Sequence, residues 1–102
     1  MTPAELAERL GAGESLVLLD VREDEELAIA SLGEVTHVPL GELPHRIGEL
    51  DSEATTVCIC HHGIRSAQAA AFLARAEFEE VFNLAGGVDR WALDVDPAMA
   101  RY

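Results

Sequence analysis

A cysteine becomes a nucleophile when its surroundings favour the thiolate. The stretch Cys60-His61-His62-Gly63-Ile64-Arg65-Ser66 is written as such surroundings. An apolar run, Thr56-Val57-Cys58-Ile59, leads into it, and an alanine-rich, helix-favouring run leads out to Ala76. Cys60 is therefore expected where a strand ends and a helix begins. A helix N-terminus carries unsatisfied N–H groups and the positive end of a dipole, and both favour an anion. With the helix starting near Ser66, the amides from His61 to Ser66 can curl around the sulfur, and Gly63 supplies the backbone freedom for a tight cradle. Arg65 adds a permanent charge suited to an oxyanion such as a thiosulfonate or sulfite group. The chemistry favoured is covalent catalysis through Cys60. A persulfide is an attractive intermediate, because the same cradle would hold its outer, anionic sulfur.

The elements that must position this loop can be read in order. Thr2-Pro3-Ala4-Glu5 is a capping-box pattern with proline at the first helical position; Leu6 and Leu10 share a face, and Gly11 is a stop. Ser15 to Val21 is a continuous apolar run ending in a charge, as in a strand buried on both faces. Glu23 to Ser31 reads as a helix with an acidic front and Leu27 and Ala28 inward. Val35 to Val38 is a short strand closed by Pro39, and Leu43, Ile47 and Leu50 follow at helical spacing. Thr55 to Ile59 is a strand, Ser66 to about Ala76 a helix with a mostly alanine packing face, and Val81 to Leu84 a further strand. Gly86-Gly87 is a turn, Val88 to Leu93 a short helix with Trp91 in the core, and Asp94 to Tyr102 a terminal tail.

Strand and helix thus alternate, which predicts an α/β fold: a small three-layer domain with a central, mostly parallel sheet of four or five strands flanked by helices. No repeat or linker divides the chain, so residues 1–102 are expected to form one domain. In such sheets the active loop lies at the carboxyl ends of the strands. Asp20-Val21-Arg22, the Cys60 loop and Leu84-Ala85-Gly86-Gly87 all fall there. Asp20 and Arg22 are expected to brace the site through hydrogen bonds.

Composition narrows the function classes. The chain has 102 residues, 49% hydrophobic and 25% charged, with a formal net charge of -12. So acidic a surface argues against nucleic-acid or anionic-membrane partners, since phosphate contacts need basic residues. No apolar run approaches the ~20 residues of a membrane span, and Met1 to Glu5 lacks the start of a signal peptide, so a cytoplasmic location is expected. Two cysteines, Cys58 and Cys60, are too few and too close for a disulfide framework and read as free thiols, Cys58 being core.

Other readings of the same residues bear weighing. Cys60 as a buried, inert thiol suits many free cysteines but not its polar neighbours. A metal site of Cys58, Cys60, His61 and His62 is disfavoured: consecutive histidines on a tight loop cannot readily converge with both cysteines on one ion, and no distant ligand pair exists. No metal or other cofactor is expected. His61 or His62 can serve as a general base, but the stronger reading is a pair of solvent-facing side chains that add positive potential.

At these residues the chain resembles the rhodanese (sulfurtransferase) family. The matching features, in order, are Asp20-Val21-Arg22 followed by Glu26, Val38-Pro39 before a leucine-bearing helix, the Cys60-to-Ser66 loop, and Leu84-Ala85-Gly86-Gly87-Val88-Asp89-Arg90-Trp91. The segment Ser31 to Pro39 departs from the family's usual Gly-His-Ile-Pro-Gly-Ala pattern. The resemblance implies that Cys60 takes a sulfane sulfur from thiosulfate or a persulfide and passes it to a thiophilic acceptor. Cys60 would be catalytic, and Arg65, His61, His62, Gly63, Ile64 and Ser66 would bind a small anionic donor. The tail resembles rhodanese modules fused to adenylyltransferases of sulfur-carrier pathways, which implies a sulfur-carrier protein or a cysteine desulfurase as a partner. An alternative is therefore a sulfur-relay interaction module with little thiosulfate turnover. A Cys-based phosphatase or arsenate reductase is the weaker alternative, because those families use Cys-x5-Arg where this loop is Cys-x4-Arg.

Overall fold

A computed structural model describes residues 1–102. Four strands form one all-parallel sheet: β1 (Val17–Asp20), β2 (Thr36–His37), β3 (Thr55–Ile59) and β4 (Glu80–Asn83), in the order β2-β1-β3-β4. The sheet has four strands rather than five, and every pair is parallel. Five α-helices accompany it: α1 (Pro3–Gly11), α2 (Asp24–Ile29), α3 (Leu43–Arg46), α4 (Ile64–Arg75) and α5 (Gly87–Asp94).

Side-chain alternation along the strands divides the core in two. Leu19, Val21, Cys58 and Cys60 face one way and pack with Leu43 of α3 and Ala69 and Leu73 of α4. Leu18, Val57 and Ile59 face the other way and pack with Leu6 of α1 and Val88 of α5. A sheet covered on both faces explains why β1 and β3 read as continuous apolar runs.

Several elements differ from the sequence reading for identifiable reasons. Thr2 caps α1 as expected, its hydroxyl accepting from the Glu5 amide, but only Leu6 is buried while Leu10 lies near the surface. In α2, Leu27 is half-buried and Ala28 exposed; the chain leaves the helix at Ala30, which is buried instead. The Leu43-Ile47-Leu50 face is not one helix. Single 3-10 turns at Leu40–Glu42 and Ile47–Glu49 flank a four-residue α3, whose second residue is Pro44. Trp91 is half-buried, packing against the rim of the second core rather than inside it. Most relevant to the site, α4 begins at Ile64, two residues earlier than expected, so Arg65 and Ser66 belong to its first turn.

The strand order reverses direction between β1 and β3, which are hydrogen-bonded neighbours with Asp20 opposite Ile59. Open parallel sheets present a crevice beyond the carboxyl ends of the strands at such a switch point. The residues directly after β1 and β3 are Val21-Arg22 and Cys60.

Candidate active site

Cys60 follows the last residue of β3, and its side chain continues the β3 alternation towards α4. Gly63 caps α4 with φ +97°, a left-handed conformation that costs glycine little and turns the chain sharply into the helix. The turn brings the Gly63 N–H to 3.0 Å from the Cys60 sulfur. One helical turn on, the Ser66 hydroxyl lies 3.1 Å from the same atom. Cys60 is 1% exposed and Ser66 fully buried. Burial alone would push the Cys60 thiol up. The Ser66 hydroxyl and the amides of Ser66, Gly63 and His62 outweigh it, and the net shift is below the ordinary thiol value. Cys58, two residues back within β3, has no such donors; burial and the nearby Cys60 push it up to about 12. The two buried thiols are thus shifted in opposite directions, Cys60 below and Cys58 above the ordinary thiol value.

The loop is braced from both neighbouring strands. Asn83, the last residue of β4, donates from Nδ2 to the Gly63 carbonyl at 3.0 Å and accepts the Ser66 hydroxyl on Oδ1 at 2.5 Å. The Val88 and Asp89 amides, opening α5, donate to the Cys60 and His61 carbonyls at 2.9 and 3.1 Å. This close approach requires Gly87: a Cβ there would sit 2.3 Å from the Cys60 carbonyl oxygen and 2.4 Å from that of His61. The Gly86-Gly87 turn therefore lets α5 dock against the backbone of the reactive loop.

On the β1 side, Asp20 and Arg22 form a fully buried ion pair with a shortest separation of 2.8 Å. The Arg22 guanidinium also donates to the Ala30 carbonyl at 2.7 Å and to the Tyr102 phenol oxygen at 2.8 Å. His37 of β2 lies 2.6 Å from the Arg22 carbonyl through Nε2. A carbonyl can only accept, so that nitrogen carries a proton. The pair ties the end of β1 to the Ala30 carbonyl and to Tyr102, and neither Asp20 nor Arg22 bonds to Cys60.

Arg65 is not the free cation that its place in the loop suggests. It makes a two-pronged pair with Glu26 of α2, at 2.6 and 2.8 Å. The Tyr102 phenol donates to the same carboxylate at 2.7 Å. The Arg65 guanidinium, helped by the Tyr102 phenol, outweighs partial burial and brings Glu26 down to about 2, well below the usual carboxylate range. The histidines also differ from expectation. His62 is exposed, but His61 is sandwiched between the rings of His62 at 3.9 Å and Tyr102 at 3.8 Å, with a buried Nε2 that has no hydrogen-bond partner. Burial and the neighbouring His62 hold its pKa below the ordinary imidazole value, so His61 does not add positive charge at neutral pH. Ile64 projects into solvent, 72% exposed.

Three contributors were not assigned these contacts from the sequence. Asn83 ends a strand whose carboxyl end was expected at the site, and a polar side chain there is a readable signal. Glu26 lies in the matched motif, but its pairing with Arg65 spans 39 residues. Tyr102 lies in the tail, and nothing local to it signals a return to the loop.

A family model described as Rhodanese-like domain matches residues 2–94. The chain is 35% identical over 97 residues to YtwF of Bacillus subtilis (strain 168), covering 95% of this chain and 93% of that protein. It is 33% identical over 95 residues to a protein named sulfurtransferase from Allochromatium vinosum, covering 93% of this chain and 89% of the relative. Among solved structures, the rhodanese-related protein from Thermoplasma volcanium superposes with a TM-score of 0.85 at 30% identity, over 93% of this chain and 91% of that one. No helix of the chain is long and apolar enough to cross a membrane.

Proposed function

The chain belongs to the rhodanese-like domain family, and from that premise we propose that it is a sulfurtransferase working through a persulfide on Cys60. The observation that carries this reading is the sulfur's setting: a depressed thiol directly after β3, facing the first turn of α4, with the Gly63 amide at 3.0 Å and the Ser66 hydroxyl at 3.1 Å. The thiolate attacks the outer sulfur of thiosulfate, the S–S bond breaks, and sulfite leaves with the bonding pair. With a persulfide donor the leaving group is a thiolate. Either way Cys60 holds a persulfide anion, and the donors that favour the thiolate favour that terminal sulfur too. A thiophilic acceptor, cyanide in the simplest assay, then attacks the outer sulfur and restores the thiolate. Arg65 can meet the anionic end of the donor only by sharing or leaving its pairing with Glu26, and the loop from His61 to Ser66 surrounds the donor. Asp20 and Arg22 keep the frame rigid. Residues 1–102 act as one domain in this reading, and the two free thiols suit a cytoplasmic location.

Incubation with thiosulfate should add the mass of one sulfur atom to the intact protein. The Cys60→Ser variant should take up none, while Cys58→Ser should behave as wild type. Sulfur uptake by Cys60→Ser would refute the assignment.

A second reading is favoured by Ile64, an apolar side chain 72% exposed on the reactive loop of a protein with net charge -12. In that reading the domain docks a protein, such as a sulfur-carrier protein or a cysteine desulfurase, and turns over thiosulfate poorly. Fast thiosulfate:cyanide turnover by the isolated protein excludes it. Phosphatase chemistry is not supported, since Arg65 points to Glu26 and makes no hydrogen bond to the sulfur.

A further inference from the structure

The pairing of Arg65 with Glu26 bears on which donor the site accepts, given sulfur transfer through Cys60. Every basic side chain of the chain other than histidine is an arginine, seven in all. Six of them are in ion pairs: Arg9, Arg22, Arg46, Arg65, Arg90 and Arg101. The seventh, Arg75, closes α4 at the end opposite Cys60. A small dianion approaching the sulfur therefore meets no unpaired arginine. The cation closest to the purpose, Arg65, already holds a carboxylate.

That carboxylate is anchored independently of Arg65. Glu26 Oε1 accepts the Glu23 N–H at 3.2 Å in a capping box, and Oε2 accepts the Tyr102 phenol at 2.7 Å. Tyr102 is itself fixed, its oxygen accepting from Arg22 at 2.8 Å and its ring stacked on His61 with an interplanar angle of 9°. The Glu26 side chain is 18% exposed and that of Arg65 35% exposed. An exposed ion pair on flexible side chains is easily exchanged. Here one partner is held from two further directions, so it stays beside the guanidinium as a standing competitor.

We propose that Glu26, held in place by Tyr102, is a specificity-determining residue: it occupies Arg65 as an internal counter-anion and biases the site against dianionic donors and towards persulfides that carry no net charge. A thiosulfate ion must displace a preorganised carboxylate or share the guanidinium with it, and it meets the negative charge of Glu26 in either case. A persulfide on an aminothiol brings no net charge and needs no displacement. Both donors deliver the same sulfur by the same displacement at Cys60, so the difference lies in binding.

The test compares thiosulfate with cysteamine persulfide as donors to wild type and Glu26→Gln, with cyanide as the acceptor. Glutamine keeps a carbonyl oxygen for the Glu23 amide and puts an NH2 where Oε2 lay, which can donate to the Tyr102 phenol oxygen, so the cap and the tail contact persist while the charge goes. The ratio of kcat/KM for thiosulfate to that for cysteamine persulfide should rise roughly tenfold, the scale of one partly screened charge interaction at close range. The rise should come from a lower thiosulfate KM, with kcat little changed. Tyr102→Phe keeps the ring stack, loosens the carboxylate, and should shift the ratio the same way by less. An unchanged or lowered ratio in Glu26→Gln, or equal shifts for both donors, overturns the proposal. Wild-type protein that takes no sulfur from either donor refutes the sulfur-transfer reading itself, whereas normal uptake with an unmoved ratio refutes only the role of Glu26.

Discussion

The hydroxyl of Ser66 faces two acceptors and has one proton. Its oxygen lies 3.1 Å from the Cys60 sulfur and 2.5 Å from Asn83 Oδ1. The Asn83 amide is oriented by its Nδ2 bond to the Gly63 carbonyl, which places Oδ1 rather than nitrogen against Ser66. With Cys60 protonated, Ser66 donates to Asn83, and the thiol, a weak donor, adds little by its own contact with Ser66. With Cys60 ionised, the hydroxyl proton must turn to the sulfur and Asn83 loses its partner. The gain on ionisation is a hydrogen bond to a charged group, about 1.5–3 kcal/mol, less a neutral one of about 0.5–1.5 kcal/mol. The remainder, about 1–1.5 kcal/mol, is about one pKa unit. Ser66→Ala should therefore raise the Cys60 pKa by about one unit. Ser66 is fully buried beside Ala69 on the same face of α4, so alanine fits without a clash.

The assay is the pH profile of exchange with an uncharged dipyridyl disulfide, followed by thione release. One unit of pKa removes about nine-tenths of the thiolate at any pH well below both midpoints, but a more basic thiolate is about threefold more nucleophilic. The variant should then react about threefold more slowly than wild type well below its pKa and about threefold faster on the alkaline plateau, so the two profiles cross. Asn83→Ala releases the hydroxyl to the sulfur and should move the pKa the other way. Cys58, held at about 12, stays silent across most of the range. An unmoved midpoint in Ser66→Ala would refute the proton-sharing scheme. A uniform loss at every pH would show instead that Ser66 only maintains the loop's shape.

Three further outcomes are expected. Asp20→Asn leaves the fully buried Arg22 without its counter-charge, and urea unfolding should show a loss of about 3–5 kcal/mol with an unchanged m-value. Gly87→Ala places a methyl group 2.3 Å from the Cys60 carbonyl oxygen at φ +62°, so sulfur uptake should collapse and stability should fall by more than about 1 kcal/mol. Glu26 has its folded pKa lowered from 4.5 to about 2, so its contribution is complete above pH 4.5 and fades as the pH falls towards 2. Thermal unfolding of Glu26→Gln should lose that part of the acid dependence and converge with wild type at the acid end.

The local features of the fold were legible because each rests on neighbours in sequence. The cap at Thr2, the strand Thr55 to Ile59 and the Cys60 loop between strand and helix need only periodicity and the chemistry of glycine and polar residues. The convergence of Arg22, Cys60 and Gly87 was also legible, because alternation of strands and helices dictates which ends of the strands meet. Side-chain partnerships across long sequence separations were not. Arg65 with Glu26, Tyr102 with both Glu26 and Arg22, and Asn83 with Ser66 depend on how α2, the tail and β4 lie against the loop. No spacing within the loop contains that information, and the same is true of the environment that leaves His61 uncharged.

The spacing that separates this loop from a phosphate-binding one has a physical basis in the phase of α4. Because the helix starts at Ile64, Arg65 and Ser66 are consecutive helical residues, about 100° apart around the axis. Ser66 faces the sulfur, and Arg65 is turned away from it towards α2 and Glu26. A Cys-x5-Arg sequence would put its arginine at position 66, against the nucleophile, where a guanidinium can clasp the oxygens of a tetrahedral oxyanion. Cys-x4-Arg puts a small neutral hydroxyl there instead. What that position holds decides what the cradle can stabilise: a guanidinium needs an oxyanion large enough to reach its fork, whereas a hydroxyl and the amides around it can hold one anionic sulfur. Counting residues from cysteine to arginine is thus a way of asking which side chain the first turn of the helix aims at the sulfur, and here that side chain is Ser66.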